Sequence, residues 1–390
     1  MLYVANAARK PLVQSNPNQL MKRKSIKSSV CRVSLAGSVA LSSSLCSTAN
    51  AASQTWDGGT VGGETAWRTT TNWVGDPTAA PGAASNNTNA DVATFGATGT
   101  GTPIGINMTA YYSLGAIDWA RTTGTTLNNS STTTAGLLRL NGATVGGVAN
   151  TLIRVGGSQN MTISDGTSKA MGVVLGANNG IFDVGPSRLL TISSIVSGIG
   201  TTGFTKTGAG QLFLSDSANT FSGNIDLQAG TLQTNNDGNF GNANNDITVS
   251  GNSTLYSNAG TTVALNANRS ITLNANLILK GEPGNNRSWS VAGAITGTGN
   301  LSIAGATTDV TFTGGKGFSG AISIAAGGQD GGTSNHTILQ VGTSATNTTS
   351  ALGNGSNAVT LGGFTEAEEG VADLNGSSVL RFRRDDYTYA

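Results

Sequence analysis

Few residues in this sequence could do chemistry, and they stand apart from one another. The single histidine, His336, lies in the run Gly331-Gly332-Thr333-Ser334-Asn335-His336, with no Gly-x-Ser-x-Gly nucleophile turn beside it. A Ser-His-Asp triad would have to use it, and one imidazole cannot make a His-rich metal site. The acidic pairs Glu368-Glu369 and Asp385-Asp386 would point to opposite faces of a strand, whereas glycosidic cleavage needs two carboxylates converging on one bond. Gly198-Ile199-Gly200-Thr201-Thr202-Gly203 satisfies the dinucleotide fingerprint by letter. The residues after it, Phe204-Thr205-Lys206-Thr207-Gly208, do not begin a helix that could meet a phosphate. Gly327-Gly328-Gln329-Asp330-Gly331-Gly332 resembles a calcium-binding nonapeptide, yet does not recur in tandem. No catalytic residue, metal ligand or cofactor site is expected from these groups.

Three tryptophans, Trp56, Trp67 and Trp73, admit two readings. Exposed, they could stack on sugar rings and make a glycan contact. Buried, they would plug the open end of a stacked repeat, whose first layer otherwise exposes strand edges and core. The second reading is favoured, because every such array needs its end covered. Trp119 and Trp289 fall among apolar residues and are expected to pack.

The elements that would carry these residues are legible in the composition. Of 390 residues 56 are Gly and 7 are Pro; 11% are charged, 37% apolar and 5% aromatic. A globular enzyme of this length would carry about a quarter charged residues. Thr, Ser, Asn, Val and Ile dominate instead, which suits short strands joined by tight turns. Disorder is the competing reading of so much Gly and Ser. Against it, short apolar runs recur along the chain, such as Leu212-Phe213-Leu214 and Leu277-Ile278-Leu279.

The formal charge of +1 conceals an asymmetry. Residues 1–51 hold Arg9, Lys10, Lys22, Arg23, Lys24, Lys27 and Arg32 and no acid, which leaves 14 basic and 20 acidic residues beyond them, a net −6. No basic stripe with interleaved aromatics remains, so nucleic-acid binding is not expected. The basic start reads as a secretory leader: Lys22-Arg23-Lys24-Ser25-Ile26-Lys27, an apolar run from Val33 to Leu45, and Thr48-Ala49-Asn50-Ala51 as the cleavage end. The run is too short and serine-rich for a membrane span. Met21 is an alternative start, and Cys46 a lipidation candidate that lacks the preceding small residue. Both cysteines, Cys31 and Cys46, fall within this leader, so the exported chain would carry no disulfide.

Downstream the sequence repeats itself. Gly208-Ala209-Gly210-Gln211-Leu212-Phe213-Leu214 matches Gly297-Thr298-Gly299-Asn300-Leu301-Ser302-Ile303. Phe221-Ser222-Gly223-Asn224-Ile225-Asp226-Leu227 matches Phe318-Ser319-Gly320-Ala321-Ile322-Ser323-Ile324. Thr231-Leu232-Gln233 matches Ile338-Leu339-Gln340 after an insertion at 328–336. Phe240-Gly241-Asn242 with Ile247-Thr248-Val249 matches Leu352-Gly353-Asn354 with Val359-Thr360-Leu361. Apolar pairs two residues apart put both side chains on one face of a strand. One such strand cannot bury that face, but stacking coil on coil can. The sequence therefore predicts an all-β fold, a right-handed parallel β-helix or β-solenoid. Coils of roughly 20–25 residues would give on the order of 15 rungs. A β-propeller would want longer strands and a blade motif; a β-sandwich array is the other alternative.

Thr205-Lys206-Thr207-Gly208-Ala209-Gly210-Gln211-Leu212-Phe213-Leu214, followed by Asn219-Thr220-Phe221-Ser222-Gly223 and Gly230-Thr231-Leu232, resembles the autotransporter-associated β-strand repeat of bacterial surface passenger proteins. That family's pattern runs Lys-x-Gly-x-Gly-x-Leu-x-Leu, then Asn-x-Tyr/Phe-x-Gly, then Gly-x-Leu. The resemblance covers roughly residues 190–390, and 52–190 in style only. In the second copy Ala304–Asp309 blurs the Asn. The C-terminal Leu380-Arg381-Phe382-Arg383-Arg384-Asp385-Asp386-Tyr387-Thr388-Tyr389-Ala390 looks like the lead-in to a further repeat. The domains expected are thus a leader at 1–51, a Trp-containing N-terminal cap at 52–96 and a solenoid at 97–390 that stops mid-repeat.

The resemblance implies an exported surface or secreted structural protein of adhesion type, extracellular or on the bacterial outer-membrane surface. Its partners would be extracellular glycans or a host or neighbouring cell surface, and its membrane attachment a separate anchor or barrel. A carbohydrate-active β-helix enzyme and a glycan-binding module are the alternative functions. The first has only the architecture behind it, and fold alone is weak evidence for function.

Overall fold

A computed structural model describes residues 53–57, 67–75, 77, 79–85, 88–96, 104–106, 110–176, 179–281, 287–305, 308–313, 315–325, 336–343, 352, 357–361 and 377–384. The leader expected at 1–51, Gly327–Gly332, Glu368-Glu369 and Asp385-Asp386 lie outside these residues. So does most of the insertion at 328–336.

The described chain is an all-β parallel solenoid. Its first face is an 11-stranded sheet whose ladder runs from Gln54–Trp56 through Val92–Phe95, Ala116–Trp119, Val148–Val155, Gly180–Val184, Phe204–Thr207, Ile225–Leu227, Ile247–Val249 and Ile271–Leu273 to Ile295–Gly297. The second face is also 11-stranded, running from Ile104–Ile106 to Val359–Leu361. A third face comes in two parts. Four strands, Tyr111–Leu114, Gly136–Leu140, Met171–Leu175 and Val196–Gly198, form the earlier part. Five strands, from Val263–Leu265 to Ser377–Arg384, form the later one.

Alternation builds this core. Leu212 and Leu214 are buried while Gln211 and Phe213 are half-exposed, as a strand with one wet face requires. In register above and below lie Leu190 and Leu232, also buried, so each coil roofs the one beneath. Coil length is uneven. Phe204, Ile225, Ile247, Ile271 and Ile295 pair in succession at steps of 21, 22, 24 and 24 residues. Ile117 pairs with Ile153, 36 residues on, because that coil adds an antiparallel hairpin, Ala143–Val145 on Val148–Val155. Among the described residues the second face carries eleven strands, fewer than the roughly 15 rungs expected.

Between Val196–Gly198 and Val263–Leu265 the third side has no strand, and the chain there is at its shortest. Backbone contacts still carry the ladder across: Thr220 N–H donates to Val196 O at 2.8 Å, and Asn242 N–H to Phe221 O at 3.0 Å. Phe204 and Phe221 stack edge-on at 5.6 Å inside. Side-chain amides complete the wall. Asn219 Oδ1 accepts the Val196 N–H at 2.7 Å, and its Nδ2 donates to Asn239 O at 2.9 Å. Asn245 Nδ2 donates to both Phe221 O and Phe240 O at 2.9 Å. One amide thus satisfies backbone groups on two coils, which a buried wall without strands must do somehow.

The repeat read from the sequence needs one correction. Leu212 and Leu301 both sit on the second face. From there the copies diverge: Ile225 is on the first face but Ile322 on the second, Leu232 on the second but Leu339 on the third, Ile247 on the first but Val359 on the second. The cause is Thr308–Phe312, an extra third-face strand between Ile303 and Phe318. Local geometry nevertheless survives the displacement. Asn357 Nδ2 donates to Phe318 O at 3.0 Å and Leu352 O at 2.9 Å, as Asn245 does to Phe221 and Phe240.

Candidate functional site

The three tryptophans converge at the N-terminal end of the core. Trp56 ends the strand Gln54–Trp56, while Trp67 and Trp73 come from irregular chain around the short 3-10 turn Thr70–Asn72. Ring centroids of Trp56 and Trp67 each lie 5.1 Å from that of Trp73, in edge-on geometry, and Phe95 packs against all three. Aromatic quadrupoles favour such edge contacts. All three indoles are 0% exposed. No ring face is left for a sugar, so the glycan contact considered for Trp56, Trp67 and Trp73 has no platform in this geometry.

Polar edges of the cluster are satisfied internally. Trp73 Nε1 donates to Trp67 O at 2.7 Å, and Trp67 Nε1 to Pro81 O at 3.1 Å and Tyr112 Oη at 3.0 Å. Tyr112 Oη donates in turn to Pro81 O at 2.7 Å. Burial pushes the Tyr112 phenol up to about 12, the Trp67 hydrogen bond opposing this in part.

The same segment covers the terminal edge of each face. Val74 N–H donates to Thr55 O at 2.8 Å on the first face, and Trp67 N–H to Gly105 O at 2.8 Å on the second. On the third, Ala83 and Ser113 exchange both hydrogen bonds in an antiparallel bridge, at 2.9 and 2.8 Å. Asp91 fixes this turn by accepting from Gly82 N–H at 3.0 Å. Unpaired parallel edges invite further strands, and antiparallel or irregular chain ends that invitation.

The motif residues at 204–234 serve the coil corners. Lys206 is fully buried, and its Nζ donates to Thr207 O, Gly208 O and Ala229 O at 2.6, 2.8 and 3.3 Å. Desolvation pulls its pKa down to about 8, against the pull of Asp183. Gly208 has φ +70, and a methyl group there would lie 2.2 Å from Val184 O of the neighbouring coil. That corner therefore accepts only glycine. Lys316 repeats the device, donating to Gly293 O at 2.9 Å beneath the Phe312 ring, and burial takes its pKa to about 8 as well. Buried Arg269 ties Asp237 at 2.9 Å to Asn245 O at 2.6 Å. Of these cations only Lys206 was marked in the sequence, by its place in Lys-x-Gly-x-Gly.

Other sequence candidates are dispersed. His336, the last residue of the insertion, opens the strand His336–Thr343 and pairs with Ser377. Gly198–Gly203 is the corner between the strands Val196–Gly198 and Phe204–Thr207. Trp119 and Trp289 are buried, as their neighbours suggested.

A surface feature that the sequence did not mark lies on the outer side of the earlier third face. Tyr111, Leu137, Gly172, Ile195 and Ser197 line a groove of about 400 Å³, with Met171, Gly136 and three alanines, and Asp165 and Asp216 at the turns that lead into this face. Tyr111 and Ile195 are 39% and 43% exposed. Gly172 keeps the floor low, since a methyl group there would meet Leu137 Cδ2 at 2.6 Å. These residues come from successive coils and share no local motif.

The fold and its corners define a class, a parallel β-solenoid with a covered N-terminal end. Within it, residues 204–234 match the passenger-associated-transport-repeat family, so the chain carries a repeat associated with autotransporter-type export. No curated protein and no solved structure matched the chain.

Proposed function

We propose that this chain is an exported, non-catalytic passenger-type solenoid that presents its lateral faces to large partners outside the cell, in an adhesion-type role. One observation carries the reading. Two polar residues of the 204–234 motif, Lys206 and Asn219, are buried and bonded to backbone of neighbouring coils, which supports a motif that serves coil stacking. Extended stacked surfaces suit extracellular glycans or the surface of a host or neighbouring cell better than a small molecule. The basic leader at 1–51 and the absence of cysteine beyond it support export.

The test is protease shaving and antibody labelling of intact cells producing the full-length protein, with and without residues 1–51. Labelling that depends on the leader is expected. Retention inside the cell would overturn the export reading, and release of soluble sugars from acidic or neutral polysaccharides would overturn the non-catalytic one.

A further inference from the structure

The groove on the earlier third face has a shape and charge that select a ligand. Its walls are Leu137, Ile195 and alanines, and its floor, along the backbone of the fully buried Met171, is opened by Gly136 and Gly172. Its only ionised lining groups are Asp165 and Asp216. Each carboxylate has one oxygen engaged by a backbone donor: Met171 N–H reaches Asp165 Oδ1 at 2.9 Å, and Ala218 N–H reaches Asp216 Oδ1 at 2.8 Å. Both turns are thereby held in place with negative charge to spare. Lys169 and Arg139 are the nearby cations. Neither lines the groove, and Arg139 Nε is engaged by Asn141 Oδ1 at 2.7 Å.

A hydroxyl-studded sugar chain fits this surface poorly, because aliphatic walls would leave its hydroxyls unpaired. Lysine and arginine side chains fit it well: an apolar stem lies along apolar wall while the charged head reaches an acceptor. Tyr111, exposed at one end, adds an aromatic face for a cation. We propose that this groove docks an extended peptide segment of a partner protein bearing alternating apolar and basic side chains, with Asp165 and Asp216 taking the cations. The groove belongs to the folded solenoid, so its occupancy is independent of whether the chain is exported.

The experiment uses the full chain and a fluorescein-labelled peptide of alternating leucine and lysine, read by anisotropy at about 0.1 M salt. A leucine–glutamate peptide of the same length and a neutral oligosaccharide are the comparison ligands. Saturable binding of the lysine peptide alone is expected, weakened about tenfold or more in D165N/D216N. Those asparagines keep the Oδ1 acceptors, so thermal unfolding should match the parent. Tyr111→Ala should weaken binding by a smaller factor. Equal binding by D165N/D216N, or equal binding of the glutamate peptide, would overturn the proposal. So would no binding of the lysine peptide, or preferential binding of the oligosaccharide.

Discussion

The N-terminal end and the repeat at 204–257 solve the same problem with different chemistry. At the end, closure comes from large apolar rings: Trp56, Trp67 and Trp73 fill the core, and the segment from Trp67 to Ala83 covers three sheet edges. In the repeat, a strandless wall is closed by small amides and one phenylalanine per coil: Asn219 joins the Val196 N–H to the Asn239 carbonyl, and Asn245 bridges the Phe221 and Phe240 carbonyls. Among the described residues the end has no coil beyond it and supplies both shape and hydrogen bonds from its own segment. An internal coil borrows half of each from the coils on either side. Stability should therefore be concentrated in few residues at the end and distributed over many in the repeat.

Trp67 is where that contrast is sharpest. Trp67→Ala removes a buried indole at the centre of the aromatic cluster and strips Tyr112 of a donor. About 3–5 kcal/mol of local stability should be lost. Hydrogen exchange should show residues 53–119 opening while 204–257 keep their protection. Uniform loss of protection along the chain would show that the end and the repeat form one cooperative unit.

The counterpart in the repeat is Lys206→Met. It leaves three corner carbonyls without their donor and should cost about 2–3 kcal/mol at neutral pH. A pH signature separates this from simple packing loss. With folded pKa values near 8 against an ordinary 10.5, Lys206 and Lys316 bind fewer protons folded than unfolded between those limits. Stability should rise as pH passes from 8 towards 10, and each Lys→Met variant should flatten part of that rise in urea titrations. A flat profile in the parent protein would mean that these amines remain solvated.

Equal smaller losses should result from Asn245→Ala and Asn357→Ala, about 1–2 kcal/mol each. The two residues make the same pair of hydrogen bonds on different faces. Equal decrements by denaturation would show that the repeat transmits a corner rather than a face; a null effect at Asn357 alone would confine the device to the first copy.

That pair also shows how far the sequence could be read. Strands, parallel stacking and the motif were legible because alternation and glycine corners are local signals, as at Leu212 and Gly208. The displaced second copy was not, because the face that Thr308–Phe312 joins is set by its pairing with Arg287–Val291, a contact that no local pattern announces. Burial of Trp56, Trp67 and Trp73 could be weighed but not decided, since the contacts that hide them come from Phe95 and Tyr112, dozens of residues away. The groove was invisible for the same reason: Tyr111, Gly172 and Ile195 meet only through the coil period, and that period is irregular between Ile117 and Ile153.

The mildest test returns to the cap. Tyr112→Phe keeps the ring that packs on Trp67 and removes only the hydroxyl; Trp67 Nε1 retains Pro81 O as an acceptor. A loss of about 1 kcal/mol is expected at neutral pH. The sign of its pH dependence is opposite to that of the lysines. A phenol raised to about 12 from 10.0 holds its proton more tightly in the folded state, so its contribution is complete below pH 10 and disappears as pH rises to 12. The phenylalanine variant should lack that decline, and exchange at residues 53–119 should report it while 204–257 do not. A decline that persists unchanged in Tyr112→Phe would place the alkaline weak point elsewhere in the solenoid and assign the end a purely apolar closure.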